Sequence, residues 1–291
     1  MIGSGPGRNM GRTAHLAAQT SSLDMTGFMI LNPRSGSESP SPDELRAEAE
    51  RRGIRVHVLE ESDDLEALAR EADADILGMA GGDGSLAAVA GVAIERDLPF
   101  ACIPFGTRNH FARDLGLDRD DPLRALDAFV GEERRVDVGR VGERLFLNNV
   151  SLGLYALLVH RREHHRRRRD ALARLRAILL TLKDRRRRQR FTIDGERVRA
   201  RLVLVGNNHY SLELLSLGER ERLDEGLLHL YIPHGFRRIT WEERSCTELE
   251  ISSGQPRLRA AVDGEPEQLE TPLRFRLDPQ ALRVLVPRAP E

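Results

Sequence analysis

The first half of the chain alternates short apolar runs with segments of helical period. Gly27-Phe28-Met29-Ile30-Leu31, Ile54 to Leu59, Ile76 to Met79 and Phe100-Ala101-Cys102-Ile103-Pro104 are of strand length. Between and after them, Pro42 and the acids that follow open a helix through about Glu50, Leu65 to Ala72 reads as a second, Leu86 to Ile94 as another, and Pro122 to Val130 as a last. Buried strands alternating with helices at this pace predict βαβ units and a parallel sheet. From Val138 the texture changes. Val138–Val141, Arg144–Ser151, Phe191–Ile193, Val198–Asn207, Leu227–Ile232, Glu248–Ser252, Arg257–Val262 and Leu273–Leu277 are short β-rich runs, and Asp194-Gly195 and Asp263-Gly264 read as hairpin turns. The pattern therefore predicts an α/β class: a Rossmann-like parallel-sheet domain over 26–137, then an all-β sandwich over 138–278. The last apolar run, Ala281 to Pro287, is expected to return to the first domain, so that 279–288 completes it. Residues 1–25 show no period and read as a flexible tail.

Three turns interrupt this pattern where ligands bind in such sheets, at the carboxyl ends of the strands. Gly81-Gly82-Asp83-Gly84-Ser85 lies between a strand and a helix, where backbone N–H groups and the helix N-terminus cradle a phosphate. A carboxylate beside a phosphate is repelled unless a cation stands between them, so Asp83 reads as a Mg²⁺ handle; an Asp cap on a plain βα turn fits these residues equally well. As a surface turn residue, Asp83 is expected to be removable without loss of the fold. Phe105-Gly106-Thr107-Arg108-Asn109-His110 is a second strand-to-helix glycine turn, and Asn32-Pro33-Arg34-Ser35-Gly36-Ser37 is a third turn on the same edge. Together they suffice for one nucleotide.

Charge adds a second feature. The 291 residues carry a formal net charge of −1, yet residues 161–190 hold 14 Lys/Arg against 3 acids, a local +11 that leaves −12 on the remainder. Such a patch points to a local anionic partner. Leu172, Leu175, Ile178, Leu179 and Leu182 recur at helical spacing within it, which reads as a basic amphipathic helix at a membrane surface. A helix packed on the second domain fits nearly as well. Nucleic acid ranks third and is not expected, because the segment lacks aromatic platforms. The two cysteines, Cys102 and Cys246, provide neither a disulfide framework nor metal spacing, so a reducing cytoplasm is expected. No apolar run reaches the ~18 residues of a membrane span. The only lysine is Lys183, which excludes a P-loop.

Asn32-Pro33-Arg34-Ser35-Gly36, Gly81 to Ser85, Gly106-Thr107-Arg108-Asn109-His110-Phe111-Ala112-Arg113, Val136-Asp137-Val138-Gly139, Gly206-Asn207-Asn208, Leu223-Asp224-Glu225-Gly226-Leu227 and Asp263-Gly264-Glu265 occur in an order that resembles the bacterial diacylglycerol kinase-like lipid kinases. The resemblance spans roughly residues 26–288 and implies a nucleotide domain related to that of NAD kinases, a β-sandwich, and a site between them. By position it implies that Gly81, Gly82, Gly84, Ser85, Thr107 and Asn109 contact ATP, with Asn32 and Ser35 bordering. It implies that Asp83 and Asp137 organise Mg²⁺ through water, that Glu265 is the general base, and that Asp263 holds the turn beside it. A structural Mg²⁺ would be held by the Glu225 carboxylate and the carbonyls of Arg222 and Leu227. Without the resemblance, Asp137 is a strand-end carboxylate and Glu265 a solvated hairpin residue.

This chain departs from the family pattern at three points. His110 replaces an Asp, with Asp114 one helical turn on; Ser37 replaces a Lys, with Arg34 the nearest cation; and Glu225 replaces the second Asp of an Asp-Asp-Gly, with Asp224 beside it. The expectation is an ATP- and Mg²⁺-dependent lipid kinase, converting diacylglycerol to phosphatidate. The alternatives are another lipid alcohol, a sphingoid base or a polyprenol, or a non-catalytic nucleotide- or lipid-binding regulator. The expected place is the cytoplasm, peripherally at the inner face of the membrane through 160–190; a homodimer is left open.

Overall fold

A computed structural model describes residues 25–36, 39–153, 189–211, 218–234 and 240–288; residues 1–24 of the expected tail and residues 160–188 of the basic segment lie outside them. Four strands run parallel in the order β2 (Arg55–Val58), β1 (Gly27–Leu31), β3 (Ile76–Gly81) and β4 (Phe100–Pro104). β1, β3 and β4 carry a fully or almost fully buried sequence, as a sheet covered on both faces requires. On one face α2 (Leu65–Glu71), α3 (Asp83–Glu95) and α4 (His110–Asp114) build a core around Met79, Leu86, Val89, Cys102 and Phe111. On the other, α1 (Pro42–Arg51), α5 (Pro122–Ala125) and the 3-10 turn Leu126–Val130 pack Leu45, Ala49, Leu126 and Phe129 against Met29, Ala80 and Ile103. α1 opens with a reciprocal capping box: Ser41 accepts from the Glu44 N–H, and the Glu44 carboxylate accepts from the Ser41 N–H.

The remaining elements are β5 (Glu132–Val141), β6 (Arg144–Phe146), β7 (Asn149–Gly153), β8 (Gln189–Ile193), β9 (Glu196–Ala200), β10 (Leu202–Asn207), β11 (Leu228–His234), β12 (Thr240–Cys246), β13 (Glu248–Ser253), β14 (Arg257–Val262), β15 (Glu265–Glu270) and β16 (Leu273–Val286). A separate six-stranded antiparallel sheet runs β12-β11-β10-β7-β14-β15. Its inner face meets β8, β13 and the first half of β16 over Val150, Leu152, Val205, Leu230, Phe191, Ile251 and Phe275.

The sheets do not divide at residue 138. β16 is one 14-residue strand that pairs β13 through Leu273–Arg276, shifts register between Asp278 and Leu282, and then lies parallel to β4 at Val284 and Leu285. β5 follows it antiparallel on both sides of the shift. The parallel sheet thus continues into the second core as a ten-stranded sheet. The long runs expected at Arg144–Ser151 and Val198–Asn207 are each broken, at residues 147–148 and at Arg201. The second break sends β9 and β10 into different sheets. β12 and β15 escape a hydrophobic pattern because they are edge strands, Thr-Trp-Glu-Glu-Arg-Ser-Cys and Glu-Pro-Glu-Gln-Leu-Glu, with little buried surface.

Candidate active site

Register fixes where the turns meet. Leu31 pairs with Ala80, and Gly81 with Pro104, so β1, β3 and β4 end on one edge. The Asn32 N–H donates to the Ala80 carbonyl at 2.9 Å, and the Asn32 Oδ1 accepts the Arg34 N–H at 3.1 Å, which folds the first turn back toward β3. A Cβ on Gly36 would lie 2.3 Å from the Phe105 ring, and one on Gly106 would lie 2.7 Å from the Gly82 Cα. The three turns are therefore in contact, and two of the contacts are possible only because glycine has no side chain. Ser35 and Thr107 stand on this edge, Thr107 exposed. Asn109 is buried in the left-handed region at φ 48°; its Nδ2 donates to the Gly106 carbonyl at 2.8 Å, and its Oδ1 has no partner among the described residues. Gly82 precedes α3 without a side-chain cap, and a Cβ there would meet nothing within 4 Å, so the side of this helix start that a Cβ would occupy is open.

The second sheet supplies the other wall. Asp263 and Gly264 form the two-residue turn between β14 and β15, with φ 48° and 85°, and Val262 pairs with Glu265. Glu265 therefore opens β15 rather than forming the hairpin tip. Its Cγ would lie 2.7 Å from a Cβ on Gly84, so its side chain rests over the first turn of α3. A carboxylate there meets the positive end of the helix.

Asp83 is not a surface carboxylate: it is 7% exposed. Its Oδ2 accepts the His110 N–H at 3.3 Å, and its Oδ1 accepts the Phe111 N–H at 3.2 Å and the Asn148 Nδ2 at 3.1 Å. It caps α4 across the gap between the glycine turns and reaches the second core through Asn148. Asp263 does more than hold its own turn. Its carboxylate accepts the N–H groups of Leu147, Asn148 and Asn149 at 2.8, 2.7 and 3.0 Å, which shapes the break between β6 and β7. Burial pushes its pKa up to about 7 against these three donors, and the Asp83 charge adds to the rise. Burial lowers the pKa of His110, opposed by Asp83 and aided by Arg113 and Arg108. His110 is therefore a neutral imidazole near pH 7, held beside Asp83 by its backbone.

A buried pair braces this wall. Arg220 donates through Nε to Asp114 Oδ2 at 2.6 Å, both side chains being fully enclosed. It also donates to the carbonyls of Leu147 and Asn207 and to Asn148 Oδ1, and its guanidinium lies 5.2 Å from the Tyr210 ring. Asp114 is thus committed to Arg220 and Arg113 rather than replacing an Asp at position 110. Asn148 and Arg220 are absent from the expected site. The Asn148-Asn149 pair interrupting an apolar run was the available signal; Arg220, among Glu and Arg neighbours, gives none.

The expected metal positions fall in two places. Asp83 offers a hard oxygen, Oδ2, that carries one long hydrogen bond at the turn between β3 and α3, a donor type that suits Mg²⁺. Asp137 is 1% exposed and engaged on both oxygens, by Gly226 N–H and Gln280 N–H at 2.7 Å each. It closes the β16 bulge, and no hydrogen bond among the described residues joins it to Asp83. Glu225 accepts the His209 N–H at 2.9 Å and lies 3.5 Å from His229 Nε2, the Leu227 carbonyl accepts the Asn208 N–H, and Arg222 pairs with Asp224. Among the described residues, no cluster of three or more metal-ligating side chains forms.

Comparison with known proteins fits this geometry. Residues 26–141 match the diacylglycerol kinase catalytic domain. A probable lipid kinase YegS-like from Chromohalobacter salexigens is 31% identical over 240 residues, covering 77% of this chain and 76% of that protein. A protein of the same description from Klebsiella pneumoniae is 28% identical over 288 residues, 89% of this chain and 95% of its own length. A diacylglycerol kinase from Bacillus subtilis is 42% identical, but the match spans only 25% of each chain. A crystal structure of a diacylglycerol kinase from Bacillus anthracis shares the fold over 90% of this chain and 97% of that one, with a TM-score of 0.65 at 18% identity.

Proposed function

The chain belongs to the lipid kinases that carry the diacylglycerol kinase catalytic domain, and from that premise we propose that it transfers the γ-phosphate of ATP to the hydroxyl of diacylglycerol, giving phosphatidate. The observation that carries the reading is Glu265. A strand of the second sheet sets this carboxylate over Gly84, at the start of the helix whose N-cap Gly82 brings no side-chain cap and leaves its Cβ position open. A phosphate seated on that helix start has a carboxylate on its acceptor side.

The steps follow from these positions. The N–H groups at Gly82 to Ser85 donate to the phosphate oxygens, and contact between Gly82 and Gly106 holds the second turn against them. Asp83 would hold Mg²⁺, which would supply charge neutralisation for the phosphates. Glu265 takes the proton of the acceptor hydroxyl as its oxygen attacks phosphorus and the bond to ADP breaks. Asp263 and Asn148 fix the wall behind this group, Asn148 joining both buried carboxylates through its backbone and side chain. An acceptor in a bilayer requires the chain to work at the membrane surface. Among the described residues no helix is long and apolar enough to cross one, so the basic sequence 160–190 is the proposed contact with anionic lipid.

The test is transfer of labelled phosphate from ATP to mixed-lipid vesicles with Mg²⁺. Label in phosphatidate is expected. Label in a sphingoid base or polyprenol overturns the acceptor, and ATP binding without label in any lipid overturns the kinase.

A further inference from the structure

Carboxylates gather at the site. Asp83, Asp263 and Glu265 stand around one helix start, and a nucleotide triphosphate brings further negative charge. Phosphate oxygens set among carboxylates are repelled, so they need cationic side chains as well as any metal. Among the described residues, the other arginines around the site are largely committed. Arg220 is enclosed with Asp114. Arg113 donates to Asp114 and to the Gly218 carbonyl and lies 3.6 Å from Glu219. Arg34 is more than half exposed on the rim, 3.9 Å from Glu61. Arg119 donates to the Arg108 carbonyl.

Arg108 differs from these. It stands in the second glycine turn, between Thr107 and Asn109, and its guanidinium makes no ion pair among the described residues. It crosses from the first sheet's edge to the second sheet's hairpin, where its Nη1 would lie 2.6 Å from a Cβ on Gly264. Glu265 crosses in the opposite direction, from that same hairpin to Gly84. The missing Cβ of Gly264 therefore gives the guanidinium its seat, one residue from each of two carboxylates. The positive φ of 85° independently favours glycine there.

We infer that Arg108 is a catalytic residue that contacts the transferred phosphoryl group, spanning the cleft opposite Glu265. This rests on the reading that ATP is the donor. A guanidinium presents a planar fork to phosphate oxygens, and it is worth most as charge spreads over them in a loose transition state. Its position also joins the two walls of the cleft through the nucleotide, since the hairpin it touches carries the base.

The test compares the full-length protein with Arg108→Gln and Arg108→Lys. ATP and ADP affinities are measured by calorimetry, kcat and KM by label transfer, and folding by thermal melting. The parent must bind ATP and transfer label; if it does not, the kinase reading fails before this inference is reached. With an active parent, Arg108→Gln is expected to lose at least tenfold in kcat, to bind ADP within about twofold of the parent, and to melt as the parent does. Arg108→Lys is expected to fall between them, keeping the charge without the fork. Parental kcat in Arg108→Gln, or loss of ADP and ATP binding to the same extent, overturns the inference. A lowered melting temperature with parental kcat, the mark of a guanidinium that only packs on Gly264, overturns it as well.

Discussion

Replacing Asp83 by Ala separates a buried cap from a surface handle. The side chain accepts two backbone N–H groups of α4 and the Asn148 amide, all at 3.1–3.3 Å. Phe111 and Asn148 are buried, so their donors would be left without water; each orphaned donor costs about 1–3 kcal/mol. His110 is only partly buried, so its N–H loses less. Relief of the repulsion between Asp83 and Asp263 offsets part of the loss. The expected net is about 2–4 kcal/mol, or a melting temperature lower by roughly 5–15 °C for a domain of this size. Asp83→Asn keeps an oxygen for Phe111 and Asn148 and removes the charge. It should melt within a few degrees of the parent and lose Mg²⁺-dependent transfer. Circular dichroism melts of the two variants, with transfer assays on the same preparations, decide the matter. An Asp83→Ala protein that melts like the parent would refute the cap, and an Asp83→Asn protein at full turnover would refute the charge.

Three further outcomes follow from the geometry. Gly82→Ala should fold normally, because its Cβ meets nothing, yet lose ATP affinity if phosphate seats there; Gly84→Ala should displace Glu265 and lower kcat with ATP binding kept, both read by calorimetry and label transfer. Arg220→Met leaves Asn148 and two carbonyls without their donor and removes one partner of a buried pair, so urea unfolding should show a loss of about 3–5 kcal/mol. Asp263 binds its proton more tightly folded than unfolded, so its stabilising contribution is complete below the unfolded value of 3.8 and is lost as pH rises toward 7. Urea midpoints should therefore fall from pH 4 to pH 7 more steeply in the parent than in Asp263→Asn, and parallel slopes would count against the raised pKa.

How much of this was legible in the sequence depended on burial. The parallel strands and α3 could be read because their residues are apolar for a covered sheet, and the turn Asp263-Gly264 because φ above zero favours that pair. The glycines gave the three turns, but not that Gly36, Gly82 and Gly106 make them touch. β12 and β15 were hidden because edge strands carry polar residues on both faces. The carboxylates were found by type and mistaken in surroundings: Asp83 and Asp137 are structural acceptors as well as charges, and nothing local in a sequence tells which backbone N–H will come to meet a side chain from 27 or 143 residues away. Arg108 was visible as a letter in a motif and acquired a role only when Gly264 was placed beside it.

The central claim is that the second sheet brings a base to a phosphate cradle, and Glu265→Gln tests it most directly. Gln keeps the shape over Gly84 and removes the proton acceptor. With labelled ATP, Mg²⁺ and diacylglycerol vesicles, the variant should bind ATP and melt as the parent does while kcat falls by about 10²–10⁴-fold. Phosphatidate formed at the parental rate by a folded Glu265→Gln protein would contradict the claim.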